Sequence, residues 1–339
     1  MSTNRFAHEA PLHVRALEVE ALPRGRRARL FVELVQDATA QPVSVPVLVA
    51  RGQRDGPVLG ITAALHGNEL NGIPVVHRLM ESLDLRSLHG TVVGVVVTNV
   101  PGFLHNQRRF PDGTDLNHIM PGRPDGNDPE VYAHRLLERV VRHFDYLIDL
   151  HTASFGRINS LYVRADLMHP MTARMAYLHR PQIILHNPPS DGTLRGQAMA
   201  LGIPAITVEI GDPHVFQPRH IRSTLAGIRR VLVELGMTPH RFVRAGDAPI
   251  VCEASKWLYT DSGGLLRVLP DVAECVREGT VIARQRNLFG QLVREYHAPH
   301  DGVVIGKSVN PIGQTGARIL HLGRIAPDGM FPLRKQAEE

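Results

Sequence analysis

The chain has 339 residues, 43% hydrophobic, 21% charged and 5% aromatic, with a formal net charge of +5. That length and composition exclude wholesale disorder and a disulfide-stapled mini-domain, and they fit one large domain with a smaller companion. Two cysteines, Cys252 and Cys275, exclude a thiolate cluster, so any metal must be held by Asp, Glu or the 19 histidines.

The first residues lack an apolar leader and the longest apolar run, Thr91 to Val97, is too short to span a bilayer. With aromatics scarce, the basic stretch Arg24, Arg26, Arg27 and Arg29 reads as a solvated strand or loop rather than a nucleic-acid face. The expectation is a soluble, cytoplasmic protein with no nucleic-acid or membrane partner, as a monomer or homo-oligomer.

In chain order, residues 29–35 and 43–50 are valine-rich and read as strands. Residues 57–64 form an apolar run that stops just before His66, and 70–83 carry helical spacing through Ile73, Val76, Leu79, Met80 and Leu83. Residues 91–98 are apolar and β-branched, as a buried central strand requires. A long polar loop, 99–122, precedes a helix at about 128–143, with Asp128 as its cap and Pro129 at its first position. Residues 145–150 form a strand ending at His151, 171–180 look helical, 204–209 form a strand ending at Glu209, and a helix spans about 219–235. Such alternation predicts an α/β fold, a mixed central sheet with helices on both faces. Beyond residue 243 the helical period disappears. Short β-like pieces alternate with Gly-rich turns, which predicts a small all-β domain over 244–339 after a larger domain over 1–243.

Ligands of open α/β sheets bind beyond the carboxyl ends of strands. His66, His151 and Glu209 stand at three such ends. In LHGNELNG, residues 65–72, His66 and Glu69 are three apart at a strand-to-helix junction, and Gly67 and Gly72 are expected to let the backbone bend there. His, Glu and a second His from IDLHT can hold one zinc ion and leave a position open, the mark of a catalytic site. Asp149 is a candidate acceptor for the His151 ring but is expected to point away from it. Glu209, in TVEIG, is a carboxylate in an apolar strand, costly to bury unless it has a task. In the 99–122 loop, Arg108 or Arg109 suits polarisation of a carbonyl, and Asn117 suits a substrate carboxylate.

HGNExxG, an Arg-containing loop ending in DLN, then DLHT, then EIG, in this order, resembles the succinylglutamate desuccinylase/aspartoacylase family of the zinc carboxypeptidase superfamily, over about residues 45–330. The resemblance implies zinc, one ion per chain, on His66, Glu69 and His151, with Glu209 as the catalytic glutamate. It implies Arg108 as the carbonyl-polarising arginine, with Arg109 as the other candidate, and Asn117 as a substrate contact. It further implies that the C-terminal strands are the family's second, barrel-sandwich-like domain. The segment APHDGVVIG also resembles the hairpin of lipoyl or biotin carriers, but Lys307 falls outside the carrier's exposed turn.

The chain departs from the family at His118, where an arginine usually follows the asparagine. An imidazole cannot make the bidentate fork of a guanidinium. Either the substrate is neutral at this point or another arginine, such as Arg157, supplies the clamp. The expected activity is zinc-dependent hydrolysis of an amide bond in an N-acyl amino acid or similar small amide. A metallocarboxypeptidase acting on short peptides and a non-catalytic zinc-containing binding module are the alternatives.

Overall fold

The structure, a computed structural model, describes residues 10–190, 192–239 and 247–331. It begins with β1 (Leu12–Val14) and the hairpin β2 (Arg26–Gln36) and β3 (Pro42–Arg51). β4 (Arg54–Ala63) leads into α1 (Gly72–Ser82) and β5 (His89–Val95) into α2 (Val100–Leu104), a short helix inside the expected loop. α3 (Asp128–Arg139) leads into β6 (Tyr146–His151). There follow β7 (Arg157–Asn159), β8 (Leu161–Ala165), α4 (Pro170–His179), β9 (Ile183–His186), α5 (Leu194–Ala200), β10 (Ala205–Ile210) and α6 (Pro218–Glu234).

These strands form a mixed sheet in the order β1-β2-β3-β5-β4-β6-β10-β8-β9, with β7 set apart. The centre is parallel: β5, β4, β6 and β10 run side by side in one direction. β3 and β8 flank them antiparallel. Helices cover both faces, as the sequence pattern predicts. α1, α4 and α6 bury Val76, Leu79, Ala176, Ile228 and Val231 on one side. α3 and α5 bury Tyr132, Leu136, Leu194 and Ala198 on the other. With both faces covered, β6 and β10 have no polar side, so Asp149 and Glu209 are both buried.

Several local expectations change. The cap of α3 is Asn127 rather than Asp128: its side chain accepts from the Glu130 N–H while Glu130 reaches back to the Asn127 N–H. The helix also ends at Arg139, and Val141–His143 is a separate 3-10 turn. The bend before His66 is carried not by glycine but by Ala64, at φ 52°. Gly67 is needed for close approach instead. A Cβ there would lie 2.2 Å from the Gly102 carbonyl carbon and the Phe103 nitrogen, so it seats the start of the 99–122 loop against the His66 turn. β1, β7, β8, β9 and α5 have no counterpart among the elements expected from the sequence.

The C-terminal residues are all-β, as expected: β11 (Ile250–Tyr259), β12 (Gly264–Val268), β13 (Cys275–Val276), β14 (Val281–Arg286), β15 (Leu292–His297), β16 (Gly302–Ser308), β17 (Ile312–Gly313) and β18 (Arg318–Ile325). β15-β14-β12-β17 form a separate small sheet. β11, β18, β16 and β13 extend the main sheet, because β11 pairs in parallel with β9, Val251 opposite Ile184. Tyr162, Ile183, Leu185, Cys252, Val303 and Ile305 close the seam as one apolar cluster. The expected boundary at residues 243 and 244 lies outside the described residues. Lys307 Nζ is bonded to the Pro270 carbonyl and Asp271, both at 2.8 Å.

Candidate metal centre and active site

Register brings the candidates together. β4, β6 and β10 are adjacent, Ala63 lies opposite Leu150, and Glu209 lies opposite His151. The turn after β4, the last residue of β6 and the end of β10 therefore meet at one edge of the sheet. His66, Glu69 and His151 are each buried, and each offers a donor atom within 4.8 Å of the other two. His66 Nδ1 is 2.9 Å from Glu69 Oε1, His151 Nδ1 is 3.0 Å from Glu69 Oε2, and the two Nδ1 atoms are 3.1 Å apart.

The far side of each ring is held by a carboxylate. His151 Nε2 lies 2.7 Å from Asp149 Oδ2, and His66 Nε2 lies 3.2 Å from Asp115 Oδ1. An ionised carboxylate can only accept, so it holds Nε2–H of each ring and turns Nδ1 toward the centre, where a bound cation would take the place of a proton. The expectation that Asp149 points away is overturned. Residues two apart on a strand share a face, and Asp149 stands two before His151. Asp115 was missed, although it is the Asp of the DLN motif.

Burial alone would raise the Glu69 carboxyl, but the neighbouring His66 and His151 outweigh it and hold the group well below the usual carboxylate range. Burial disfavours a charged His151, yet Asp149 and Glu69 outweigh it and raise the ring well above an ordinary histidine. This negative pocket of nitrogen and oxygen donors suits a cation. Ligands on a tetrahedral ion with bonds of about 2 Å stand about 3.3 Å apart. The donor separations here are close to that, so the residues fit a zinc-sized ion.

Arg108 lies beside this group. Its Nη1 donates to Glu69 Oε1 at 2.9 Å and to the Ser154 hydroxyl, and its Nε donates to Asp115 Oδ2 at 3.0 Å. Its Nη2 has no hydrogen bond among the described residues, leaving two N–H groups for a ligand. Glu209 accepts from Asn159 Nδ2 at 3.2 Å and lies 3.5 Å from Arg164 Nε. Both Arg108 and Glu209 line the same cavity, of about 510 Å³, that His66, Glu69 and His151 line.

Arg109, Asn117, His118 and Arg157 also line it. Asn117 is committed to the fold, since its Oδ1 accepts from the Leu194 N–H at the start of α5. Arg164, Arg195, Trp257 and Arg318 also line the wall and were not read from the sequence. They come from β8, α5 and the C-terminal strands, and no local motif marks them. Six arginines therefore face three carboxylates, Glu69, Asp115 and Glu209. Burial, then Arg164, lowers the Arg195 guanidinium to about 10, still charged at neutral pH. The cavity suits an anionic ligand whatever stands at position 118.

Residues 55–235 match the succinylglutamate desuccinylase/aspartoacylase catalytic domain. The chain is 25% identical over 279 residues to the N-alpha-acetyl-L-2,4-diaminobutyric acid deacetylase of Halomonas elongata, covering 78% of this chain and 81% of that protein. It is 31% identical over 180 residues to the succinylglutamate desuccinylase of Pseudomonas paraeruginosa, covering 49% of this chain and 54% of that one. In fold it is similar to the product-bound ectoine utilization protein EutE (DoeB) from Ruegeria pomeroyi, with a TM-score of 0.80 at 22% identity, over 90% of this chain and 98% of that one. It is equally similar to the succinylglutamate desuccinylase/aspartoacylase from Rhodobacter sphaeroides, with a TM-score of 0.80 at 21% identity, over 92% and 100% of the two chains.

Proposed function

The chain belongs to the succinylglutamate desuccinylase/aspartoacylase family, and from that membership we propose that it is a zinc-dependent deacylase that hydrolyses the amide bond of an N-acyl amino acid. The observation that carries this reading is the convergence of His66 Nδ1, His151 Nδ1 and the Glu69 carboxylate, with Glu209 and Arg108 in the same cavity. His66, Glu69 and His151 would hold the ion, oriented by Asp115 and Asp149. Bound there, zinc supplies Lewis acidity toward a carbonyl and lowers the pKa of water.

The remaining chemistry falls to the chain's own groups. Glu209 takes a proton from the attacking water and delivers it to the leaving nitrogen, so that the amine departs neutral. Arg108, anchored by Glu69 and Asp115, presents its Nη2 N–H groups to the oxygen that gains charge in the tetrahedral intermediate. Arg109, which lines the same cavity, meets the carboxylate of the amino acid. The C-terminal strands, taken as a second unit over 244–339, border the cavity through Trp257 and Arg318. The curated relatives are named as a deacetylase and a desuccinylase, which supports acetyl or succinyl as the acyl group.

The test is release of free amine from N-acetyl and N-succinyl amino acids, with short peptides alongside, on protein whose metal content has been measured by elemental analysis. Turnover of the acyl amino acids with one zinc per chain is expected. Cleavage of peptides alone would make it a carboxypeptidase, and no turnover with zinc bound would make it a binding module.

A further inference from the structure

The cavity's charges are unevenly answered. Glu69 and Asp115 face Arg108, and Glu209 faces Arg164. Among the described residues no carboxylate or hydrogen-bond acceptor lies within contact distance of the Arg157 or Arg318 guanidinium, and Glu69 and Glu209 act on Arg157 only from further off. Each of the two arginines lies instead against the Trp257 indole, its guanidinium carbon 5.6 Å and 5.3 Å respectively from the ring centroid.

Three distant segments build this wall. Arg157 sits on β7, just past the His151 turn, and β7 pairs with β16 so that Arg157 stands opposite Ser308. Trp257 on β11 and His321 on β18 are cross-strand partners, and their rings stack within 8° at 5.0 Å. His321 is itself fixed by a 2.7 Å contact between Nε2 and the Ser255 hydroxyl. Burial, then the neighbouring Arg164, Arg157 and Arg318, push its imidazole down to about 3. At neutral pH it is an uncharged platform that fixes the indole. The indole in turn orients both guanidinium groups by cation–π attraction, which leaves their N–H forks unused. Arg157 is half-buried, so its charge and that of Arg318 repel with incomplete screening, and a bound anion would relieve both.

We propose that Arg157, Arg318 and Trp257 form a second anion subsite, by which the C-terminal strands select substrates carrying a carboxylate in addition to the amino acid's own. The idea rests on the deacylase reading, with Arg109 left for the first carboxylate. The second can belong to the acyl group or to the amino-acid side chain, since the same fork recognises either.

Two measurements separate the possibilities. The first compares kcat/KM for N-acetyl-L-alanine, N-succinyl-L-alanine and N-acetyl-L-glutamate. Wild type is expected to favour one dicarboxylate at least tenfold over N-acetyl-L-alanine, and the favoured one identifies the source of the second carboxylate. Arg318→Gln and Trp257→Leu should each cut that preference about tenfold, mainly through KM, while Arg286→Gln, on the small sheet's exposed side, keeps it. No preference in wild type, or one unchanged in Arg318→Gln, overturns the subsite. The second is calorimetric binding of succinate and butyrate, which needs no turnover. Succinate should bind wild type at least tenfold more tightly, and Arg318→Gln should remove the advantage. If that holds while no amide is hydrolysed, the subsite stands and the deacylase reading falls. Equal binding of the two acids overturns the subsite even in an active enzyme.

Discussion

Replacing Glu209 with glutamine removes a base while keeping its shape. In the structure one carboxylate oxygen accepts from Asn159 at 3.2 Å and the other lies 3.5 Å from Arg164. The amide oxygen of glutamine can keep one of these contacts, and its nitrogen cannot accept the other. Arg164 retains the Tyr162 hydroxyl at 2.6 Å. The folded state should therefore lose about 1–3 kcal/mol, a tolerable fraction of the roughly 5–15 kcal/mol typical of a domain. Catalysis should lose far more, because a primary amide takes up no proton near neutrality. A general base is worth about 10²–10⁴ in rate, or about 2.7–5.4 kcal/mol of barrier. Glu209 lies outside the ligand group, so metal content should not change. KM should stay level or fall, since the cavity loses a negative charge. The assay is steady-state release of amine from an N-acyl amino acid, with elemental analysis and a melting curve on the same preparation. A kcat within tenfold of wild type, with metal and fold intact, would refute the role and leave Glu209 as a counter-ion for Arg164.

Four further outcomes are expected. His66→Ala combined with His151→Ala should abolish tight metal binding by elemental analysis, and an unchanged stoichiometry would remove the proposed site. Asp149→Asn keeps a hydrogen-bond acceptor for His151 but loses its charge, so zinc affinity measured by chelator competition should fall about 10–100-fold; no change would mean that Asp149 does not tune the ligand. His118→Arg adds a charge to a cavity already lined by six arginines. It should change KM for acyl amino acids less than about threefold at pH 8.5, and wild type should already prefer the acid to its amide; a large gain would restore position 118 as the missing clamp. His179 is buried between α4 and α6, and burial lowers its ring to about 4 in the folded protein against about 6.5 unfolded. The unfolded chain takes up that proton more readily, so stability present above about 6.5 is lost as pH falls toward 4. At pH 5 the loss is on the order of 2 kcal/mol. Urea denaturation of metal-free protein from pH 7 to 5 should show a shallower fall for His179→Gln, and equal slopes would contradict the burial argument.

Much was legible because it is local. Apolar runs with a two-residue or a 3.6-residue period mark buried strands and amphipathic helices, and β4, β6, β10, α1 and α6 emerge from that alone. His66, Glu69, His151 and Glu209 stand out because polar residues at the ends of buried strands are costly without a partner. The order of the strands is not local. Only the sheet shows that β4, β6 and β10 are neighbours in register, which brings His66 and His151 within 3.1 Å. The same holds for Asp115, which reaches His66 across 49 residues. The wall of the proposed anion subsite is wholly tertiary. Arg157, Trp257 and Arg318 lie 100 and 61 residues apart in sequence, and nothing in the sequence about any one of them names the others. The sequence by itself pointed to the candidate metal-binding residues and to the sheet class, because burial and periodicity act over a few residues. The tertiary structure decided which charges face one another across the cavity, because Coulomb energy depends on distance in space and not along the chain.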